Sequence, residues 1–184
     1  LVKDESLSGA TLGLGDVMYD FSVTTAAGET ITLSEILEQK KMVLLNFFYT
    51  SCGPCVTEFP YMQEAYEKYQ EKVGIIALDP MDDAAAVEGF KGSMGLTFPM
   101  VSCQPAWSAA FSISGYPTSI VVDRYGMICL VEKGGLTSSR PFNSIFEAFS
   151  ADDYQQKIYN SLNEVVVRMK PDVEMPAPEE IASV

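Results

Sequence analysis

The sequence predicts an α/β protein with a central mixed sheet of about five strands, flanking helices, an N-terminal β-hairpin and an extra C-terminal helix. Three observations predict it. Two apolar runs of strand length, MVLLNFFY at 42–49 and VGIIAL at 73–78, are separated by a helical pattern, as in a βαβ unit with parallel strands. Two further strand candidates, 118–122 and 127–131, flank the turn Asp123-Arg-Tyr-Gly126 and so should pair antiparallel. Short alternating segments precede this set and two helical patterns follow it.

Taken in order, 21–25 and 29–33 alternate apolar and polar residues around Ala26-Ala27-Gly28, which reads as the hairpin. Ser34 with Glu35 suggests the cap of a short helix. The run at 42–49 is apolar on both faces and is the best candidate for the sheet centre. From Cys52 to Lys72, Phe59, Met62, Tyr66 and Tyr69 recur at helical spacing, with Pro60 expected to kink the helix. Asp82 and Asp83 read as caps of a helix reaching about Met94 rather than as cation ligands. A short strand is expected at 97–102 and a short helix bearing Trp107 at 105–113. Phe142, Ile145, Phe146 and Phe149 mark one late helix face; Ile158, Leu162, Val165, Val166 and Met169 mark the face of the extra helix, about 152–169. Trp107, the Phe-rich face and the methionines read as core.

The chain has 184 residues and a formal net charge of −13, from 12 Lys plus Arg against 25 Asp plus Glu. Phosphate-backbone binding relies on Lys and Arg, so nucleic acid is not an expected partner. No histidine is present, which excludes Ser-His-Asp and Cys-His catalysis and His-ligated metals. No run reaches the roughly 18 apolar residues of a membrane span. Residues 1–15 read as a flexible linker, 16–169 as one domain with a C-terminal helical extension, and 170–184 as an acidic, Pro-rich tail. A chain opening on Leu1 and a polar stretch fits the removal of an upstream signal peptide or anchor, and equally an arbitrary boundary.

Chemistry concentrates at Cys52-Gly-Pro-Cys55, directly after the most apolar strand and at the start of a helix. Thiol-disulfide exchange needs a thiolate, and a helix N-terminus favours one at Cys52 through its free N–H groups and partial positive charge. Two intervening residues bring Cys55 within reach to resolve a mixed disulfide, and Pro54 suits a first turn where an N–H would be unpaired. Zinc would require Cys103 and Cys129 as the remaining ligands, and these form no second close pair. The dithiol is therefore read as redox-active, with no metal or organic cofactor.

NFFYTSCGPC at 46–55, EFP at 58–60 and GYPT at 115–118 occur in an order that resembles thioredoxin-fold proteins of the TlpA/ResA type, extracytoplasmic thiol-disulfide oxidoreductases of bacteria. The resemblance runs from about residue 20 to 135 and includes the hairpin and a helix-strand insertion at 82–102. It implies a thioredoxin-like fold, a cis bond before Pro117, and backbone groups of Tyr116 free to pair with an extended substrate; Gly53 and Pro54 complete the substrate-facing surface. It further implies that Glu58, three residues after Cys55 and so on the same helix face, takes or gives the proton of the resolving thiol. Burial would raise its pKa to a useful range; a solvated helix glutamate is the alternative. Asn46 stands where thioredoxins proper carry a buried acid, which strengthens the case for Glu58. Three departures are visible: Ser51 replaces the usual Trp before the first cysteine, Phe48 stands where a second Trp is frequent, and Gly53 replaces a frequent Glu.

Cys103 and Cys129 should end up at opposite sheet edges, about four spacings of ~4.8 Å apart, too far for a disulfide. The function that the resemblance implies is extracytoplasmic disulfide exchange with protein substrates, preferentially as reductant, recharged by a membrane-embedded electron donor and with a membrane tether through a removed N-terminal segment. Two alternatives stand beside it. A redox-inert adaptor would dock a partner through the acidic surface. A peroxiredoxin-type peroxidase ranks lower, since Leu45 and Tyr49 replace the Pro and Thr that activate such a cysteine.

Overall fold

The structure, a computed structural model, describes residues 11–159 and 165–168. Of the linker expected over 1–15, residues 1–10 lie outside the described residues, as does the tail expected over 170–184. The elements run β1 (Ser22–Thr24), β2 (Thr30–Thr32), α1 (Leu33–Gln39), β3 (Met42–Phe47), α2 (Gly53–Tyr69), β4 (Val73–Asp79), α3 (Ala84–Met94), β5 (Met100–Ser102), α4 (Ala106–Ala110), β6 (Thr118–Asp123), β7 (Ile128–Lys133), α5 (Ser139–Ser150), β8 (Lys157–Tyr159) and β9 (Val165–Arg168).

Five strands form the main sheet in the order β5-β4-β3-β6-β7. β3 and β4 are parallel, as are β4 and β5, whereas β6 runs antiparallel to both β3 and β7. β3 lies at the centre, and all six of its residues are buried. Alternation along it explains why both faces are apolar: Met42 and Leu44 pack with α2, α3 and α5, while Val43, Leu45 and Phe47 pack with α1, α4 and the N-terminal hairpin. Helices on both faces leave a parallel pair no solvent side, which a near-continuous apolar run satisfies. Asn46 breaks this pattern. It falls on the α2 face, so a polar group must be met there by another polar group.

Local signals acted mostly as their chemistry dictates. Asp83 caps α3 by accepting the Ala86 N–H at 2.8 Å, and Gly28 supplies the positive φ, 85°, of the hairpin turn. Ser34 does not cap α1. It lies inside the helix, and Asp20 instead accepts both its N–H and its hydroxyl, at 2.9 and 2.7 Å, a contact across 14 residues that local sequence does not encode. Packing also starts earlier than composition suggests, because Leu12 is buried and its N–H reaches Ala110 O.

Among the described residues of 152–169, the expected extra helix is not formed. α5 ends at Ser150, and β8 and β9 pair antiparallel in a separate two-stranded sheet. Three consecutive valines, 165–167, are stiff at χ1 and suit a strand better than a helix; their spacing to Ile158 imitated a helical face. The polypeptide leading there is tied to the sheet by Asp123, whose buried carboxylate accepts from Tyr154 Oη at 2.7 Å and Gln156 Nε2 at 3.2 Å.

Candidate active site

β3 runs out at Phe47, and a short loop carries the chain into α2. Cys52 is the N-cap of that helix, and its Sγ accepts the Cys55 N–H at 3.3 Å. The sulfur thus sits where unpaired amide groups and the positive end of the helix dipole favour negative charge. Cys52 and Cys55 are joined by a disulfide, with Cα atoms 5.2 Å apart. Both cysteines are buried, while Gly53 and Pro54 between them are exposed.

The loop is held from the neighbouring strand. β4 ends in Asp79, whose Oδ1 accepts the N–H groups of Met81 and Asp82 at 2.8 and 2.9 Å. Asp82 Oδ2 in turn accepts both the N–H and the hydroxyl of Thr50, each at 2.8 Å. These bonds hold the Asp82 carboxyl below its ordinary pKa. Burial pushes Asp79 up to about 6.

One turn behind Cys55, Glu58 is 1 % exposed. Its Oε1 accepts Asn46 Nδ2 at 2.9 Å, and its Oε2 accepts the backbone N–H of Leu136 at 2.8 Å. Asn46 also donates to Ser119 Oγ at 2.9 Å. The polar residue that broke the apolar face of β3 is therefore accounted for by an acid on α2. Burial raises the Glu58 pKa from 4.5 to about 7, with nearby Glu132 adding to the rise and the two hydrogen bonds opposing it. Desolvation wins because two charge-assisted bonds offset only part of the cost of removing a carboxylate from water.

The Tyr116–Pro117 bond is cis. Pro117 is buried directly before β6, in register beside the end of β3, where Thr118 pairs with Phe47. Tyr116 is half-buried; its hydroxyl meets Ser108 Oγ at 2.9 Å, and its ring packs edge-on against Tyr49 with centroids 5.4 Å apart. In the family resemblance a Trp precedes the first cysteine; here the aromatic contact beside the loop comes from Tyr49 and Tyr116.

The segment after β7 gathers these parts. Gly134 N–H donates to Pro117 O at 2.9 Å, Leu136 holds Glu58, and Gly135 lies so close to Pro54 that an added Cβ would sit 3.1 Å from Pro54 O. Sequence reading singled out Cys52, Gly53, Pro54, Cys55, Glu58, Tyr116 and Pro117, which all fall in this region. It missed Gly134, Gly135 and Leu136, although a Gly-Gly pair after a strand is a turn signal, and it missed Ser119, Thr50 and the Asp79–Asp82 link, which carry none.

Cys103 and Cys129 are both free. Cys103 follows β5 and Cys129 lies in β7, the two opposite edges of the main sheet. Burial pushes the Cys103 thiol up to about 12, with the Asp79 charge adding, and raises Cys129 further. Among the described residues, no group of three or more Cys, Asp or Glu side chains is arranged to hold a metal ion, and no helix is long and apolar enough to cross a membrane.

Residues 14–148 match the Redoxin family. The chain is 38% identical over 117 residues to the thiol-disulfide oxidoreductase ResA of Bacillus anthracis, a match covering 62% of this chain and 66% of that protein, just under two thirds of its length. It is 35% identical over 136 residues to ResA of Halalkalibacterium halodurans, covering 73% of this chain and 74% of the relative. A crystal structure of a thioredoxin-family thiol:disulfide interchange protein from Chlorobium tepidum superimposes with a TM-score of 0.64 at 26% identity, covering 74% of this chain and 97% of that one.

Proposed function

The chain belongs to the Redoxin family, with ResA-type thiol-disulfide oxidoreductases among its relatives, and from that membership we propose that it exchanges disulfides with protein substrates outside the cytoplasm, preferentially as reductant. The observation that carries this reading is a Cys52–Cys55 disulfide at a helix N-terminus with a buried acid of pKa about 7 one turn behind it.

In the reduced protein, Cys52 is the nucleophile. Its thiolate attacks one sulfur of a substrate disulfide, forming a mixed disulfide while the other substrate sulfur leaves as a thiolate. Glu58, as carboxylate, then takes the proton of Cys55, and the new Cys55 thiolate attacks Cys52 Sγ. That step breaks the mixed disulfide, releases the second substrate thiolate and closes Cys52–Cys55. Two electrons pass to the substrate; of the two protons its thiolates take up, one is that of Cys55, released through Glu58, and the other comes from solvent. A membrane-embedded electron donor reverses these steps on Cys52–Cys55, with Glu58 returning a proton to Cys55. Gly53 and Pro54, exposed between the cysteines, and the backbone of Tyr116 beside cis-Pro117 form the surface on which an extended substrate chain lies.

Replacing Cys52 by Ser tests the reading against a docking role. Reduction of a protein disulfide, followed with a chemically reduced enzyme in excess, should be lost. Unchanged reduction by Cys52→Ser would overturn the proposal.

A further inference from the structure

We propose that Glu132 is a positioning residue for disulfide exchange, acting through Glu58: from edge strand β7 it presents a negative charge to the buried acid and disfavours the ionised form that accepts the proton of Cys55. The inference rests on the reading of Cys52–Cys55 as the exchanging couple.

The geometry is a polar row across three strands. Asn46 pairs with Ser119, and Ser119 pairs with Glu132, in consecutive antiparallel ladders. Residues directly opposite in such ladders share a face of the sheet. That face is the α2 side, because Asn46 Nδ2 donates to Glu58 there, and Leu130, two residues before Glu132, is buried in the same cluster as α2 and α5. Asn46 and Ser119 are neutral, so the row ends in one charge.

Glu132 stands at the open end of this row. It is half-buried on edge strand β7 and lines a groove of about 480 Å³ together with Leu136 and Arg140. Leu136 is the residue whose N–H holds Glu58 Oε2, so the wall of the groove is also the clamp on the acid. Around Glu58 stand Cys55 on its own helix, neutral Asn46 and Ser119 on β3 and β6, and Glu132 on β7, while exposed Arg140 on α5 lines the same groove as Glu132. Lys133 is exposed and directed to Ser114 Oγ, 3.5 Å away. Glu132 is thus the acid whose charge reaches Glu58, and it adds to the burial that raises the proton affinity of that group. Burial raises the Glu132 pKa as well.

A like charge makes ionised Glu58 less favourable. Removing it should let Glu58 lose its proton at lower pH and so move the resolving step with it. The test is a pair of pH profiles, from about pH 5 to about pH 9, on the full chain. The first follows the Glu58 carboxyl by isotope-edited NMR of the oxidised protein. The second follows closure of Cys52–Cys55 from a preformed mixed disulfide of Cys52 with an aromatic thiol. Glu132→Gln should lower both midpoints by about half a pH unit or more, and Glu132→Asp should restore most of the shift, with folding checked by thermal unfolding. Midpoints in Glu132→Gln equal to those of the parent protein would overturn the inference and leave the exchange reading intact. A closure profile that Glu58→Gln leaves unchanged would overturn it too, by removing the group through which Glu132 acts. Failure of the exchange reading itself has a different signature: no mixed disulfide forms at Cys52.

Discussion

Leu136 donates its backbone N–H to Glu58 Oε2 at 2.8 Å, joining residues 78 positions apart. The same short segment reaches Pro117 through Gly134 and presses Gly135 onto Pro54. The acid, the cis-proline strand and the start of the cysteine-bearing helix are thereby fixed to one piece of backbone, and its displacement should disturb all three.

Gly135→Ala tests that arrangement. Its Cβ would lie 3.1 Å from Pro54 O and 3.3 Å from Pro54 Cβ, and a backbone carbonyl cannot move aside as a flexible side chain can. We expect a loss of about 1–3 kcal/mol of stability, as for overpacking, together with a slower exchange rate. Denaturant unfolding and single-turnover reduction of a protein disulfide measure the two.

Glu58 and Asp79 make stability depend on pH in a defined direction. Each folded pKa, about 7 and about 6, lies above its ordinary value of 4.5 or 3.8. The stabilisation is therefore complete below the ordinary pKa, where both states are protonated, and is lost as pH rises through the folded value. For Glu58 the loss is on the order of 3 kcal/mol. Unfolding of the oxidised protein should show stability falling between about pH 4.5 and about pH 7, and Glu58→Gln should flatten the curve and stabilise the protein at the alkaline end.

Asp82 has the opposite sign. Its two bonds to Thr50 hold the folded pKa below 3.8, so their contribution is present above that value and lost as pH falls below it. Asp82→Ala should cost about 1 kcal/mol at neutral pH and loosen the loop two residues before Cys52. Faster amide exchange at Thr50 and Ser51 would report that loosening.

Thiol reactivity should separate the four cysteines. With Cys103 pushed up to about 12 and Cys129 raised further, the thiolate fraction of Cys103 at neutral pH is only about one in 10⁵. Brief alkylation of the reduced native protein near pH 7 should label Cys52 alone. Comparable labelling of Cys103 or Cys129 would contradict the burial that raises them.

The sheet was legible because its strands carry the signal themselves: the apolar run at 42–49 became the central β3, and the pair around the 123–126 turn became β6 and β7. The cysteine pair was equally legible in its placement, since two intervening residues at the start of a helix bring the two sulfurs within bonding distance. What could not be read depends on partners distant in sequence. Asp20 rather than Ser34 satisfies the start of α1, and Asn46 became intelligible only once Glu58 faced it. The helix expected at 152–169 failed for a different reason: a short apolar pattern fits more than one period, and three consecutive valines decided for strands.

Whether Cys52/Cys55 exchanges electrons is decided by equilibrating the protein in glutathione or dithiothreitol redox buffers, with Cys103 and Cys129 replaced by Ser so that only this pair responds. A reversible two-electron couple with a potential near or below about −230 mV is expected, as suits a reductant that depends on continuous electron supply. A potential near about −120 mV would contradict the direction of electron flow, and no reversible couple at all would contradict the assignment of exchange to Cys52 and Cys55.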